Sequence, residues 1–207
     1  MTQLFIRQLA VGPMQNFAYL VGDAQAKKVA VVDPGWDADT IFAEAKGAGV
    51  EIVAVLITHT HFDHIKAIEK LLNHAPVPVY VHRLEVGQLP RISNIVTTDE
   101  GTTMTIGSLT VRCHHTPGHS PGCQCFDVGA VREPPLLFTG DTLFIDACGR
   151  TDLPGSDPNA MHRSLKRLAH FPPETIVYPG HDYGPTPTAT IGEQLKTNSF
   201  LREAAGS

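Results

Sequence analysis

Four times in this 207-residue chain an apolar run ends in a turn and delivers an imidazole or a carboxylate: VLIT before His59, HHTPG before His119, LLFTG before Asp141 and VYPG before His181. The first of these opens T-H-T-H-F-D-H, so His61, Asp63 and His64 follow His59 within six residues. Imidazole nitrogens and carboxylate oxygens are the donors that zinc and its first-row neighbours take. Loops at strand ends are held by a rigid scaffold yet stay open to substrate. His59 and His61 alternate at the end of a strand, so both can point the same way, and Asp63 and His64 open the helix that follows. Glycine precedes His119, Asp141 and His181, letting the backbone turn tightly there. Seven donors exceed the four that one tetrahedral zinc uses, so the expectation is two divalent metal ions. Zinc is the first choice, with iron or manganese as alternatives, because the same nitrogen and oxygen donors accept all three.

The remaining histidines read more plainly. Single histidines are usually hydrogen-bonded core or surface residues, and that is the expectation for His74, His82, His114, His115, His162 and His170. His170 falls in the last turn of a helical segment, where a cation suits the helix dipole. Cys113, Cys123, Cys125 and Cys148 form no paired CxxC units, so free thiols are expected, with Cys123 and Cys125 as strand residues.

The elements that must position these groups are legible from periodicity. Runs rich in Val, Ile and Leu recur as LFIRQLAV, FAYLVG, KKVAVVD, IVAVLIT, VPVYVH, LTVRCHH, QCFDV, PLLFTG and ETIVYPG. Helical patterns lie between or after them: DADTIFAEAKGAG, HFDHIKAIEKLLNHA, DPNAMHRSLKRLAHF and TIGEQLKTNSFLREAA. In the second of these, Ile65, Ile68, Leu71 and Leu72 form a stripe away from Lys66, Glu69 and Lys70, which predicts a helix covering a sheet. Val86 to Met104 reads as a polar, irregular connection into a hairpin turning at Gly107 and Ser108. The chain is a mixed α and β protein, expected as one domain over 1–207.

Size and charge narrow the function. A chain this long buries enough apolar surface to fold without disulfides or a structural metal, so a metal here is catalytic. The formal charge of -5 and the absence of a Lys/Arg cluster argue against nucleic acid as a partner. No apolar stretch reaches the roughly 18 residues of a membrane span, and the first residues show no export leader. A small-molecule substrate and a cytoplasmic location are expected; nothing in the composition sets the oligomeric state.

The motifs THTHFDH, HTPGHSPG, FTGDTLF and YPGHDY, in this order, resemble the signature of the metallo-β-lactamase superfamily. The resemblance implies an α/β fold, an αββα sandwich of two mixed sheets flanked by helices. It implies one metal site at His59, His61 and His119, a second at Asp63, His64 and His181, and Asp141 bridging the two. Asp33, in AVVDPG, would fix a loop rather than ligate. Two adjacent cations can share a hydroxide made from water near neutral pH. Asp63, which could also orient that hydroxide, and Asp141 are thus the catalytic carboxylates.

CGRTDLPG and HDY are similar to glyoxalase II and to persulfide dioxygenases, which implies a thiol-derived substrate. On that resemblance Arg150 would pair with a substrate carboxylate and Tyr183 would donate a hydrogen bond to the substrate; an ion pair between Arg150 and Asp152 is the competing reading. Two features depart from glyoxalase II: 26 residues follow His181 where a larger helical domain is expected, and Asp152 stands where a glutathione-binding tyrosine would be. The leading expectation is thioester or ester hydrolysis, hydroxyacylglutathione-type. The alternative is a mononuclear non-haem iron persulfide dioxygenase acting on glutathione persulfide, with His59, His119 and Asp141 as a two-His, one-carboxylate set; GRTD and TATIGEQLKTNSFL resemble that group. A metal-holding module without turnover is a third reading.

Overall fold

Residues 3–128 and 134–206 are described by a computed structural model. Chain order begins with β1 (Leu4–Val11), β2 (Asn16–Asp23) and β3 (Lys28–Val32), then α1 (Ala38–Gly47), β4 (Glu51–Leu56), α2 (Phe62–Ile65), α3 (Ile68–His74), β5 (Val79–His82) and β6 (Ile95–Thr98). These six strands form one sheet in that order, antiparallel from β1 to β3 and parallel from β3 to β6. The second half supplies β7 (Thr103–Ile106), β8 (Leu109–His115), β9 (Gln124–Val128), β10 (Leu136–Gly140), a short ribbon β11 (Leu143–Phe144) and β12 (Ala147–Cys148), α4 (Pro158–Leu168), β13 (Ile176–Pro179), β14 (Ala189–Thr190), α5 (Ile191–Thr197) and α6 (Ser199–Ala205). Its main sheet runs β14-β13-β10-β9-β8-β7, with β10 and β13 parallel.

Period-two alternation decides the layers. In β3, Ala30 and Val32 face the second sheet, while Val29 and Val31 face the layer of α1 and α3. In β10, Leu136 and Phe138 point to the first sheet and Leu137 points to α4, α5 and α6. Such strands are buried on both faces, which is why they read as unbroken apolar runs. The result is helix, sheet, sheet, helix, with two mixed sheets as expected.

Three expectations need correction. The helix read from His61 to Ala75 is broken at Lys66 and Ala67, because the loop after β3 enters its hydrogen-bond ladder: Gly35 N–H donates to His64 O at 2.9 Å and Ala67 N–H donates to Gly35 O at 2.7 Å. The C-terminal helix is likewise two, hinged at Asn198, whose Oδ1 accepts from Phe200 and Leu201 N–H and caps α6. Val86 to Met104 is not wholly irregular, since Ile95–Thr98 pairs in parallel with β5; as a partly exposed edge strand it lacks the apolar alternation that would have marked it. The Gly107–Ser108 hairpin turn is present between β7 and β8. Among the described residues no helix is long and apolar enough to cross a membrane.

Candidate metal centre

The ends of β4, β8, β10 and β13 open on the same edge of the sandwich, and the loops leaving them bring all seven expected donors together. His59 Nε2 lies 3.1 Å from His61 Nδ1, which lies 2.8 Å from His119 Nε2. His64 Nε2 lies 3.2 Å from His181 Nε2, and Asp63 Oδ2 lies 3.4 Å from the latter. Asp141 stands between the two groups: its Oδ2 is 3.4 Å from both His119 Nε2 and His181 Nε2, and its Oδ1 is 3.3 Å from His64 Nε2.

These atoms do not form an ordinary hydrogen-bond network, because the second nitrogen of most rings already spends its proton elsewhere. His119 Nδ1–H donates to Arg150 O and His181 Nδ1–H to Met14 O, each at 2.8 Å. His64 Nδ1–H donates to Asp33 Oδ2 at 3.0 Å. Thr58 Oγ1–H donates to Asp33 at 2.6 Å and therefore accepts from His59 Nδ1–H at 3.2 Å. In the neutral rings of His59, His119 and His181 the inward nitrogens are lone pairs crowded beside the Asp141 carboxylate, an arrangement a cation resolves. Ligand bonds of about 2.0–2.2 Å give tetrahedral edges of about 3.3–3.6 Å, close to the spacings here. Asp141 Oδ1 is buried with no hydrogen-bond donor, as a metal-facing oxygen would be. The donor set fits divalent cations.

The electrostatics agree. Burial, and then the neighbouring His64, hold His59 well below the ordinary histidine range, and burial lowers His61 as well. For His64 burial also disfavours charge, but Asp141 and Asp33 on either side outweigh it and raise its pKa well above the usual value. Burial would raise Asp141, yet His64 and His181 pull it well below the carboxylate range. A cation would take the place of the proton that His64 otherwise keeps.

Close approach explains the glycines. A Cβ at Gly180 would overlap Asp141 Oδ1, and Gly140, at φ +48°, would drive one into Thr58.

Asp33, His59 and His64 also form a compact trio. Asp33 is already filled by Thr58 N–H, Thr58 Oγ1–H and His64 Nδ1–H, so it orients ligands rather than joining them. Three supporting residues carried no sequence signal. Asn16 Nδ2–H donates to Asp63 Oδ2 at 2.8 Å, and Trp36 Nε1–H donates to Asn16 Oδ1 at 2.9 Å. Glu85 is buried and accepts from Thr60 N–H at 3.0 Å, Thr60 Oγ1–H, Ser120 Oγ–H at 2.6 Å and Gly122 N–H at 2.8 Å. It thereby joins the loop of His59 and His61 to that of His119.

A cavity of about 780 Å³ opens above the donors. Arg150 and Tyr183 both line it, but Arg150 is bound to Asp152 through Nε–H to Oδ1 at 2.6 Å and Nη2–H to Oδ2 at 2.7 Å. Tyr183 stacks on the His181 ring at 4.5 Å between centroids and donates its hydroxyl to Met14 O at 3.2 Å. Cys148 also lines the cavity, with its thiol pushed up to about 11 by burial, so it offers no thiolate at neutral pH. All four cysteines are free, and Cys123 lies in the loop one residue before β9 rather than in the strand. His82 and His115 stack on each other, and His170 Nδ1–H donates to Lys166 O. Neither these nor His74, His114 and His162 joins a donor group among the described residues.

Residues 11–181 match the family model described as Metallo-beta-lactamase superfamily. The chain belongs to that superfamily. Among superfamily relatives it is 32% identical over 189 residues to a probable polyketide biosynthesis zinc-dependent hydrolase, BaeB, of Bacillus velezensis, covering 90% of this chain and 82% of that one. It is 36% identical to the solved TTHA1623 in a di-iron-bound form, with TM-score 0.80 over 94% of this chain and 99% of that one. ETHE1 from Myxococcus xanthus matches at 26% identity and TM-score 0.84, over 97% and 90%. A longer superfamily structure from Staphylococcus aureus, of which this chain spans 65%, shares the fold at TM-score 0.86 and 24% identity, covering all of this chain.

Proposed function

We propose that the chain is a hydrolase that cleaves a thioester or ester of a small, thiol-derived molecule, using two divalent cations held by His59, His61 and His119 on one side, Asp63, His64 and His181 on the other, and Asp141 between them. The observation that carries this reading is the position of Asp141, within 3.4 Å of His119 and His181 and 3.3 Å of His64, touching both donor groups at once. Bound there, divalent cations supply hydroxide at neutral pH and draw electrons from a substrate carbonyl. Asp63, fixed by Asn16, holds its carboxylate where it can both ligate and keep an attacking water oriented. Water oxygen adds to the carbonyl carbon, the carbon–sulfur or carbon–oxygen bond breaks, and the leaving group departs with the remaining proton as thiol or alcohol. No serine or cysteine nucleophile is required. Arg150 and Tyr183, at the mouth, are positioned to meet the part of the substrate beyond that carbonyl. The zinc-dependent relative supports zinc as the resident metal; the di-iron relative supports iron.

The likeness to ETHE1 supports a second reading, a mononuclear iron dioxygenase acting on glutathione persulfide through His59, His119 and Asp141. Elemental analysis of protein purified without added metal, combined with thioester hydrolysis and oxygen uptake on glutathione persulfide, separates them. Two metals per chain with thioester cleavage supports the hydrolase; one iron with oxygen consumption overturns it. A cytoplasmic location follows as part of the proposal and is checked by fractionating cells that express the chain.

A further inference from the structure

The walls of the cavity differ sharply from its floor. Above the histidines and carboxylates stand Met14, Phe62, Phe144, Leu153, Pro154 and Tyr183. Phe62 is 59% exposed and Tyr183 51%, so these rings offer apolar surface at the mouth rather than packing into the core. Phe62 is held there by an edge-to-face contact with Trp36 at 5.7 Å. Apart from the histidines, Arg150 is the one basic side chain along this cavity among the described residues. Lys66, on the Trp36 side, lies over the indole ring at 5.2 Å and does not line the cavity.

Arg150 meets an incoming anion with its charge already matched by Asp152. Both oxygens of Asp152 hold its Nε–Nη2 edge, and the partners are two residues apart, so the pair closes without ordering a distant segment. The result is a neutral, self-paired group at the rim. A substrate carboxylate arriving there would share the guanidinium with Asp152 or displace it, and in either case would lie beside a second negative charge. A glutathione moiety carries two carboxylates, and this mouth presents no unpaired arginine or lysine for either.

We propose, resting on the hydrolase reading, that the site takes thioesters or esters of uncharged thiols or alcohols with an apolar acyl group, and that Asp152 sets this preference by occupying Arg150. Asp152 is a specificity-determining residue on this view, while the apolar rim receives the acyl chain.

The test compares one acyl group on two thiols. With hexanoyl thioesters of N-acetylcysteamine and of glutathione, kcat/KM is expected to favour the former by about tenfold. In Asp152→Asn the ratio of glutathione to N-acetylcysteamine thioester should rise roughly fivefold, the scale of one exposed ion pair. The gain should vanish in Arg150→Ala/Asp152→Asn, because it depends on the freed guanidinium. Binding is read separately by calorimetry, using the uncleavable S-hexyl thioethers of both thiols on the protein with its resident metals. Tighter binding of the neutral thioether, reversed or narrowed in Asp152→Asn, supports the proposal even if no thioester is cleaved, in which case the hydrolase reading alone fails. Equal or tighter binding of S-hexylglutathione to the unsubstituted protein, an unchanged ratio in Asp152→Asn, or no binding of either thioether overturns it.

Discussion

Glu85 accepts the Ser120 hydroxyl at 2.6 Å, and through that bond a residue from beyond β5 holds the segment that begins at His119. Its other oxygen accepts from Thr60, which sits between His59 and His61, so one buried carboxylate spaces three candidate ligands. Burial opposes its charge, but the surrounding hydroxyl and amide donors hold its pKa below the ordinary glutamate value. Such outer partners set ligand orientation as firmly as the ligand bonds themselves.

Glu85→Ala is therefore expected to weaken metal binding by about 10- to 100-fold, the usual cost of losing a supporting partner. Competition with a chelator measures this directly. Retention of full metal affinity in a folded Glu85→Ala protein would show that the two loops hold their spacing unaided.

Asp141→Ala removes the group shared by both donor sets and should reduce hydrolysis roughly a thousandfold or more, with loss of at least one metal. His162, on the exposed face of α4, gives the control, since His162→Ala leaves the centre intact. Comparable activity in the two variants would contradict the assignment of the centre.

Gly180→Ala should abolish metal loading while leaving secondary structure in place, because the new methyl overlaps Asp141 Oδ1. Circular dichroism and metal content taken on the same sample separate the two effects. A fully loaded, active alanine variant would mean that the β10 and β13 ends can part without cost.

A pH effect on stability is expected at the far end of the sandwich. Asp23 accepts Ser108 N–H at 2.9 Å and the Ser108 hydroxyl at 2.5 Å, tying the β2–β3 turn to the β7–β8 turn across the two sheets. The Ser108 hydroxyl first, then backbone N–H groups, lower its pKa from 3.8 to about 2. The folded value lies below the unfolded one, so this stabilisation is complete above pH 3.8 and is lost as pH falls through about 2. Asp23→Asn should melt at lower temperature than the unsubstituted protein at neutral pH, with the gap closing between those two pH values. A gap that stays constant over that range would rule out the carboxylate as its source.

How much of this was written in the sequence depends on the range of the interaction. Strand and helix identities follow from local periodicity, and the seven candidate ligands and their strand-end placement follow from four short motifs, while the layered sandwich came from the family those motifs resemble. The helix break at Ala67 could not, because it is made by Gly35, 32 positions earlier by the numbering. Asn16, Glu85 and the carbonyl oxygens of Met14 and Arg150 were equally invisible: a backbone oxygen has no residue signature, and Asn16 and Glu85 meet their partners only after the sheets have packed. For Arg150 the sequence left two partners open, and side-chain geometry chose Asp152. Residue chemistry and spacing thus determined what could bind a cation; only the packing of two sheets face to face determined which nitrogen of each ring faces it.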